Sequence, residues 1–438
     1  MEKKIAMDLA KYELLESKFS VCYPDNKNAT YTSLLNYSNE LDKPFQRWYR
    51  YKEGFSEAFV SKITEVYRTG IITTLLDPFA GSGTTLLTAN TLGLSGIGFE
   101  VNPFSFFLMK VKQDSYSKDD LYSFRKNFES ILLDLKNDIL EAYVLPELSF
   151  SSKVFQKSAE PYVMSAKVKI QKLPESKVRN LLFLGWLACI EELSDYRKAG
   201  NGLKKRKTVK PFIVDKETVI KRLSKQYTIM YEDLESDKIV HKNRIFNQSC
   251  LNFGEVISPD KVDGIIFSPP YANCFDYTEI YKLELWFGDF VKNYDDLKVL
   301  RGKSLKSHLN YQYAQKDLTS DGTILGDLIQ EVSQCELWAK KIPLMLRGYF
   351  DDMFNVINNC YKSLKQNGFC AIVVGNSSYG GIVIPTDLIL AEYAEAIGFE
   401  VSKIEVDRYI ITSSQQYEKT KQYGKYLRES VVCLKKIK

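Results

Sequence analysis

Histidine is scarce in this chain, whose 438 residues include only His241 and His308. Triad hydrolases need a histidine base and zinc enzymes commonly need several histidine ligands, so the sequence gives little support to either class. The eight cysteines include no pair spaced as Cys-x-x-Cys, and none has a histidine nearby. We therefore expect no metal site and no disulfide framework, but buried free thiols in a reducing cytoplasm.

Long apolar runs are also missing from the sequence. No uncharged run approaches the roughly 18–20 residues that a membrane helix needs. The first residues, Met1–Ile5, lead into a mixed charged stretch without the apolar centre of a signal peptide. We therefore expect a cytoplasmic protein with no membrane partner.

The overall composition is that of an ordinary globular protein, with 45% hydrophobic and 26% charged residues. The length predicts two or three structural units of about 100–200 residues each. Lysine and arginine together number 60 against 55 acidic residues, which gives a formal net charge of +5. This balance permits a nucleic-acid partner but does not demand one.

One segment, residues 196–207, concentrates positive charge, with six cations and no acid. It is either a solvated loop without a partner or a flexible arm that neutralises backbone phosphates. As a DNA-binding arm it would use Arg197, Lys198, Lys204, Lys205, Arg206 and Lys207.

Hydrophobic periodicity predicts alternating strands and helices. A helix around 56–69 precedes a buried strand at Ile71–Leu76, a helix at Thr84–Leu92 and a strand at Gly96–Phe99. The pattern resumes with a buried strand at Val262–Phe267, has a turn at Asn367-Gly368 before a strand at Phe369–Gly375, and ends in a last strand at Ser430–Leu434. Such alternation predicts a doubly wound α/β sheet interrupted by two largely helical insertions.

Four units follow from this pattern. We expect an N-terminal segment (1–45), a catalytic domain made of 46–110 and 241–438, a helical insertion at 111–240 and a second insertion at 272–345 within the catalytic domain. The first insertion is a candidate target-recognition region because it carries the basic segment. The second is a candidate DNA-contacting region because it carries Arg301, Lys303 and many aromatic residues.

A glycine-containing turn joins the first strand to its helix. Its sequence runs from Asp77 through Gly81 and Gly83 to Thr85, without the third glycine of a pyrophosphate loop and without the lysine of a P-loop. A second acid, Glu100, ends the next strand, where a carboxylate can accept both hydroxyls of a ribose. Two acids and a glycine turn suit a cationic ligand with amino-acid and nucleoside parts, such as S-adenosylmethionine. A dinucleotide site and a purely structural turn remain alternatives.

A rigid tetrapeptide, Ser268-Pro269-Pro270-Tyr271, follows the strand at Val262–Phe267. Its two prolines fix the backbone and remove two N–H donors, which leaves carbonyl acceptors, a hydroxyl and an aromatic face. These groups suit a planar heterocycle that bears an amine. A proline-rich turn with a packed tyrosine is the alternative. We expect the turn near Gly81 and the bend near Pro269 to line one cleft.

Together, residues 77–85 and 268–271 resemble the motifs of the DNA amino-methyltransferases. The serine at position 268 looks most like the N4-cytosine members of that family. Further resemblance lies at 47–56, 99–103 and 428–432, so that it covers roughly 45–110 and 240–438. Where the family often has Gly-Asp before the catalytic strand, this chain has Asn247-Gln248-Ser249.

The resemblance implies a Rossmann-like, S-adenosylmethionine-dependent enzyme that methylates cytosine N4 in double-stranded DNA after rotating the base out of the helix. The implied catalytic residues are Ser268, Pro269, Pro270 and Tyr271. The implied cofactor-binding residues are Phe55, Ser56, Asp77, Pro78, Phe79, Ala80, Gly81, Gly83, Thr84, Glu100, Val101, Asn102, Gln248 and Ser249. Any cognate restriction endonuclease that acts on the same site should be a separate chain.

Other functions remain open at this point. Adenine-N6 methylation of DNA is the first alternative within the same family. Methylation of RNA or of a protein amine is a second, and a catalytically silent DNA-binding subunit is a third, prompted by Gln248. The recognition sequence and the oligomeric state do not follow from the sequence.

Overall fold

The structure is a computed structural model of the chain. It describes residues 2–25, 35, 40–52, 54–200, 202–206, 212–237, 241–314, 318–410 and 418–437, with side chains from residue 9 onwards.

Among these residues the strands are β1 (Val21–Cys22), β2 (Thr74–Asp77), β3 (Ser95–Phe99), β4 (Tyr196–Ala199), β5 (Gly202–Lys205), β6 (Asn243–Phe246), β7 (Val262–Phe267), β8 (Leu364–Gly375), β9 (Ser377–Tyr379), β10 (Ile382–Ile384), β11 (Phe399–Tyr409) and β12 (Arg428–Lys436). The helices are α1 (Glu2–Glu16), α2 (Glu57–Tyr67), α3 (Thr84–Thr91), α4 (Pro103–Gln113), α5 (Lys118–Lys136), α6 (Glu160–Gln171), α7 (Lys177–Leu193), α8 (Lys216–Ser236), α9 (Phe253–Val256), α10 (Tyr277–Ile280), α11 (Lys282–Phe287), α12 (Tyr294–Lys303), α13 (Ile324–Ser333), α14 (Ile342–Ser363) and α15 (Thr386–Ala396).

Eight strands form one sheet in the order β1-β11-β12-β8-β7-β2-β3-β6. The chain runs from β2 outward through β3 to β6 at the edge, and then returns to the other side of β2 as β7. The strands β6, β3, β2, β7 and β8 are parallel to one another, whereas β12 is antiparallel to both β8 and β11. This order confirms the predicted doubly wound α/β class.

The reversal of strand order between β2 and β7 positions the site. In open α/β sheets, ligands bind outside the carboxyl ends of the strands at such a switch point. The carboxyl end of β2 is Asp77, and Ser268 follows the end of β7. The fold therefore brings the glycine turn and the double-proline bend to the same edge of the sheet.

Strand β7 shows why the sequence folds this way. All six of its residues are buried, as expected for a parallel strand with both faces covered. Alternate residues enter different clusters, because successive side chains in a strand point to opposite faces. Ile265 packs in the core that includes α14 and α15, whereas Ile266 packs with Phe59 and Ile63 of α2.

The segment between α4 and β6 contains α5 to α8 and the small β4–β5 hairpin. Its apolar side chains form a further cluster, which includes Trp186 of α7 and Leu223 of α8. Trp48 from the N-terminal region and Trp286 of α11 belong to the same cluster. The helical insertion and the first part of the second insertion, as far as α12, therefore share one hydrophobic core, whereas α13 packs in the cluster that includes α14.

Two local predictions need correction. The first strand was expected at Ile71–Leu76, but β2 begins at Thr74, and Ile71 is almost fully exposed. The turn expected at Asn367-Gly368 lies within β8, where Asn367 adopts a φ of 65° and the pairing with β7 shifts register. Ile71 shows that apolar residues at the start of a predicted strand can lie outside the hydrogen-bonded ladder. Among the helices described, none has both the length and the apolar character that a membrane crossing requires.

Candidate active site

A cleft opens at the switch point between β2 and β7. Five groups of residues line it: the segment before α2, the glycine turn with the end of β3, the segment after β6, the bend after β7, and a wall from the second insertion. The lining residues include Tyr51, Phe55, Asp77, Pro78, Phe79, Ala80, Gly81, Ser82, Thr84, Phe99, Glu100, Val101, Asn102, Ser249, Ser268, Pro270, Asp276, Tyr277, Thr278, Lys303, Ser307 and His308. The turn and the bend therefore face one cleft.

The glycine turn is closed by Asp77. Its buried carboxylate accepts hydrogen bonds from Phe79 N at 2.9 Å and from Thr85 Oγ1 at 2.6 Å. Gly81 and Gly83 have φ angles of 51° and 84°, in the left-handed region that favours glycine. A Cβ on Gly83 would also lie 2.8 Å from Gln113 Nε2. Both the backbone conformation and the lack of space thus require glycine at position 83.

Glu100 connects the end of β3 to this turn. One carboxylate oxygen accepts from Gly81 N at 2.9 Å, and the other accepts from Asn102 N at 2.7 Å. Burial raises the pKa of Asp77 and the pKa of Glu100 to about 7 each. None of the ion pairs formed by the described residues involves either carboxyl group, so the cleft contains two acids that are not ion-paired with a described cation.

Lys112 of α4 supports the turn from below and was not predicted from the sequence. Its buried ammonium donates to the Ser82 carbonyl oxygen at 3.1 Å and to Gln46 Oε1 at 2.9 Å. Burial lowers the pKa of Lys112 to about 7. Helical periodicity could have indicated that Lys112 is buried. It follows Leu108 by four residues and Met109 by three, and both of these residues are fully buried.

The bend after β7 divides its four residues between two environments. Ser268 and Pro270 line the cleft, whereas Pro269 and Tyr271 are not among its lining residues. The Tyr271 hydroxyl donates to Glu429 Oε1 at 2.6 Å, and Glu429 Oε2 accepts from Arg408 Nε at 2.5 Å. Burial, followed by Glu429, raises the pKa of Tyr271 well above 10, so the phenol keeps its proton.

The other predicted cofactor residues occupy mixed positions. Phe55, Val101 and Ser249 line the cleft. Ser56 caps α2 by accepting from Phe59 N at 3.1 Å and is not a lining residue. Asn102 lines the cleft and also caps α4 through Phe104 N at 3.0 Å. Gly83 and Gln248 are not among the lining residues.

The second insertion supplies the wall opposite the turn. Arg301, which was predicted to contact DNA, instead pairs with Asp276 Oδ2 at 2.9 Å and Glu279 Oε1 at 2.7 Å, and its side chain is only 15% exposed. Its guanidinium therefore holds the wall together and is not available to a phosphate. Lys303 is exposed at the rim of the cleft.

The chain is similar along most of its length to proteins of known class, although no protein-family model matches it. It is 29% identical over 400 residues to the Type II methyltransferase M.AvaI of Nostoc sp., and the match covers 85% of this chain and 82% of that one. The chain is thus similar to a Type II methyltransferase over most of its length. It is also 28% identical over 465 residues to the Type II methyltransferase M.BsoBI of Geobacillus stearothermophilus, with 92% and 88% coverage.

One solved structure, the rRNA methyltransferase aviRa from Streptomyces viridochromogenes, aligns with 87% of this chain and 86% of its own, at 9% identity and a TM-score of 0.29. A TM-score this low does not support a common fold, and the fold class follows from the strand order.

The donor set of the cleft fits the cofactor of a methyltransferase. S-adenosylmethionine carries a sulfonium and an ammonium, and two carboxyl groups that are not ion-paired with a described cation match those charges. Each Glu100 oxygen accepts one hydrogen bond and has further acceptor capacity for a ribose hydroxyl. Serine and asparagine side chains at the same edge, from Ser249 and Asn102, add neutral polar groups.

The basic segment of this chain is a hairpin and not a flexible arm. Strands β4 and β5 pair in antiparallel register, with Arg197 opposite Lys204. Lys198 is buried and pairs with Glu284 Oε1 at 2.5 Å, while Arg206 donates to the carbonyl oxygens of Ser194 and Glu191 at 3.0 Å each. These two cations therefore stabilise the fold. Arg197, Lys204 and Lys205 are exposed, and Lys207 lies outside the described residues.

Proposed function

We propose that this protein is a site-specific DNA methyltransferase that transfers a methyl group from S-adenosylmethionine to the exocyclic N4 of cytosine. The observation that carries the proposal is the shared cleft, in which the glycine turn and the Ser268–Pro270 bend face each other at the switch point. The relatives, which are Type II methyltransferases, support the reaction class. Ser268 favours cytosine N4, because serine at this position resembles the N4-cytosine members of the family.

On the cofactor side, we propose that Asp77 and Glu100 balance the ligand's positive charge and that Phe55 covers it. When bound, the cofactor supplies a methyl group activated by a sulfonium. Asp77 keeps the turn closed through Phe79 and Thr85, and Glu100 fixes the Gly81 backbone. These contacts pre-organise the turn, so little ordering is left to occur on binding.

On the base side, we propose that the Ser268 hydroxyl and the Pro269 carbonyl accept the hydrogens of the target amine. Both prolines lack an N–H, so the bend offers acceptors without competing backbone donors. Holding the amine in this way directs its lone pair toward the methyl group, and the rate gain comes mainly from positioning. The base must first leave the helix, because the amine cannot be reached inside the stack.

Stacking of Tyr271 on the base, which the family resemblance implies, stays a prediction. The ring packs against the backbone of Gly375, where a Cβ would lie 2.7 Å from the ring, and the hydroxyl is held by Glu429. We propose that these two contacts hold the ring in one orientation for the base.

We propose that the DNA backbone contacts the exposed cations of the hairpin, Arg197, Lys204 and Lys205, together with Lys303 at the rim of the cleft. Phosphate contacts of this kind set affinity and register without reading sequence. The helical insertion that carries the hairpin is our candidate for target recognition. The similarity to Type II methyltransferases supports a role beside a restriction endonuclease that acts on the same site.

Mass spectrometry of nucleosides from a methylation-deficient host that expresses the chain tests this proposal. We expect N4-methylcytosine, and methylome sequencing of the same DNA should place it at one short sequence. A matched host that expresses the Ser268→Ala variant should show little or none. N6-methyladenine would support the adenine alternative, and the absence of both bases beside a folded, expressed protein would overturn the proposal.

A further inference from the structure

A buried imidazole lies in the wall of the cleft. His308 is 3% exposed and lines the cleft together with Ser307 and Lys303. Neither of its ring nitrogens has a hydrogen-bond partner among the described residues. Buried polar groups are nearly always paired, so an unpaired one in a cleft calls for an explanation. A ligand that enters the cleft is the simplest partner for it.

The nearby carboxylate of Asp276 is not that partner. Asp276 Oδ1 accepts from Thr278 N at 2.9 Å and Thr278 Oγ1 at 2.6 Å. Asp276 Oδ2 accepts from Arg301 Nε at 2.9 Å and Asn310 Nδ2 at 2.7 Å. A carboxylate has about four lone-pair sites, and all four are used. The imidazole therefore keeps its full hydrogen-bonding capacity.

The backbone around His308 is fixed. The Tyr313 hydroxyl donates to the His308 carbonyl oxygen at 2.6 Å. Two residues earlier, Lys306 N and Lys306 Nζ both donate to the Asp352 carboxylate, at 3.1 Å and 2.5 Å. A ring held on such a support can make a directional hydrogen bond without much ordering cost.

Burial, opposed by Asp276 and reinforced by Arg301, lowers the pKa of His308. The ring is therefore neutral at pH 7, and a neutral imidazole offers one N–H donor and one acceptor nitrogen. The amine-bearing edge of cytosine presents a ring acceptor, N3, directly beside the N4 amine. Adenine presents the same pair as N1 and N6.

We propose that His308 is a specificity-determining residue that donates a hydrogen bond to the ring nitrogen beside the target amine. Ser268 and the bend hold the amine hydrogens, and His308 holds the adjacent acceptor, so that the two sides of the cleft together recognise the edge of the base. This inference rests on the proposed function, because it requires a nucleobase in the cleft.

The test uses duplexes that carry the methylation site, with the target base either natural or replaced by its deaza analogue, 3-deazacytosine or 1-deazaadenine, which lacks the ring nitrogen. We expect the analogue to lower kcat/KM of the wild-type protein about tenfold, as the loss of one buried hydrogen bond should. His308→Ala should lower kcat/KM on the natural duplex by a similar factor and make the protein insensitive to the analogue. A purely structural role would not produce that insensitivity.

A binding measurement provides a second readout that does not depend on turnover. Fluorescence anisotropy without cofactor should show that the wild-type protein prefers the natural duplex to the analogue and that His308→Ala does not. His308→Asn and His308→Gln place an amide N–H near the positions of Nδ1 and Nε2 respectively. Partial rescue by one of them should identify the donating nitrogen.

His241 provides the matched control. It is the other histidine of the chain, packs edge-on against Phe45 and does not line the cleft. His241→Ala should retain the wild-type response to the analogue. If the wild-type protein methylates the natural duplex and its deaza analogue equally well, the inference is wrong while the proposed function stands. That comparison needs no variant, so misfolding of His308→Ala would not obscure it. If the wild-type protein methylates no DNA, both fail.

Discussion

The Glu100 carboxylate accepts a hydrogen bond from the backbone N–H of Gly81 at 2.9 Å, so the residue after β3 fixes the turn after β2. The same carboxylate is buried and has no cation beside it among the described residues. It therefore combines a structural contact with a charge that only a ligand can balance.

Replacing Glu100 with glutamine tests this double role. The amide carbonyl can still accept one backbone hydrogen bond, but the charge and one acceptor are lost. We expect the Kd for S-adenosylmethionine to rise about 10- to 100-fold by isothermal titration calorimetry, because hydrogen bonds to charged groups contribute roughly 1.5–3 kcal/mol. Glu129→Gln on the exposed face of α5 is the control and should bind normally. Equal affinities for the two variants would contradict the assignment.

The raised pKa values of Asp77 and Glu100 predict a pH dependence. Both are about 7 in the folded chain against ordinary values of 3.8 and 4.5. The folded chain therefore holds extra protons between about pH 4 and pH 7, so the contribution of these groups to stability is present at low pH and is lost as the pH rises through 7. A cationic ligand favours the ionised forms and reverses this preference.

We accordingly expect cofactor affinity to increase as the pH rises from 6 to 8, with protons released on binding. Calorimetry in two buffers of different ionisation enthalpy measures that release near pH 6.5. Glu100→Gln should reduce it. A binding enthalpy that is independent of the buffer would show that neither group changes protonation.

Lys112 should act as a positioning residue for the turn. Lys112→Met keeps most of the volume but removes the donor to Ser82 O, so the turn should be less well ordered. We expect the KM for the cofactor to rise several-fold with a smaller change in kcat. Lys110→Met, on the exposed side of α4, is the matched control. A drop in kcat alone would argue against positioning of the turn.

The bend after β7 predicts a clear order of effects. Ser268→Ala removes a proposed acceptor of the amine hydrogens and Tyr271→Ala removes the proposed stacking ring, so each should lower kcat by about two orders of magnitude or more. Tyr271→Phe keeps the ring and loses only the hydrogen bond to Glu429, which should cost about 1 kcal/mol of stability and little activity. Single-turnover methylation and thermal unfolding measure the two effects. Full activity in both alanine variants would refute the mechanism.

The β4–β5 hairpin carries both exposed and buried cations, and substitutions of the two kinds should have different effects on DNA binding and on stability. Lys204→Ala combined with Lys205→Ala should weaken DNA binding and reduce the slope of log K against log salt by about 0.9 for each phosphate that is no longer neutralised. Lys126→Ala with Lys136→Ala on α5 is the charge-matched control. An unchanged salt slope would show that the hairpin does not bind the DNA backbone.

Lys198→Ala should behave differently because it removes the cation from the buried Glu284 carboxylate, which then keeps the hydrogen bond from the Tyr49 hydroxyl at 2.6 Å. Its main effect should be a lower melting temperature, with a change in salt dependence that is smaller than that of the Lys204 and Lys205 double variant. A variant that melts normally but binds DNA with a reduced salt slope would contradict this.

Local patterns were sufficient for the parts of the fold that depend on neighbours in sequence. The turn at Asp77–Thr85 and the bend at Ser268–Tyr271 were recognisable because in each case glycine or proline residues directly follow a buried strand in the sequence. The doubly wound α/β class followed from strand alternation once the insertions were set aside. The helix α3 and the strand β12 lie within a few residues of their predicted bounds.

Contacts between distant residues were not predictable in this way. Lys198 pairs with Glu284, which lies 86 positions away in sequence, and Lys112 donates to Ser82, which lies 30 positions away. Hydrophobic periodicity within one helix or strand therefore predicts neither contact. Arg301 illustrates the same limit. Its positive charge is as compatible with a phosphate partner as with the carboxylates of Asp276 and Glu279, which are its partners in the structure. From the sequence, His308 stood out only as one of two histidines. Its ring nitrogens lack a partner because the Asp276 carboxylate already accepts four other hydrogen bonds, and the sequence does not show those bonds.

Because Trp186 and Trp286 belong to one apolar cluster, the helical insertion and the first part of the second insertion, as far as α12, form a single mechanical piece. A chimaera that takes the helical segment from a relative but keeps the native residues around Trp286 would join two surfaces that never evolved together. Exchange of sequence preference between relatives should therefore succeed only when both segments are transplanted as a pair.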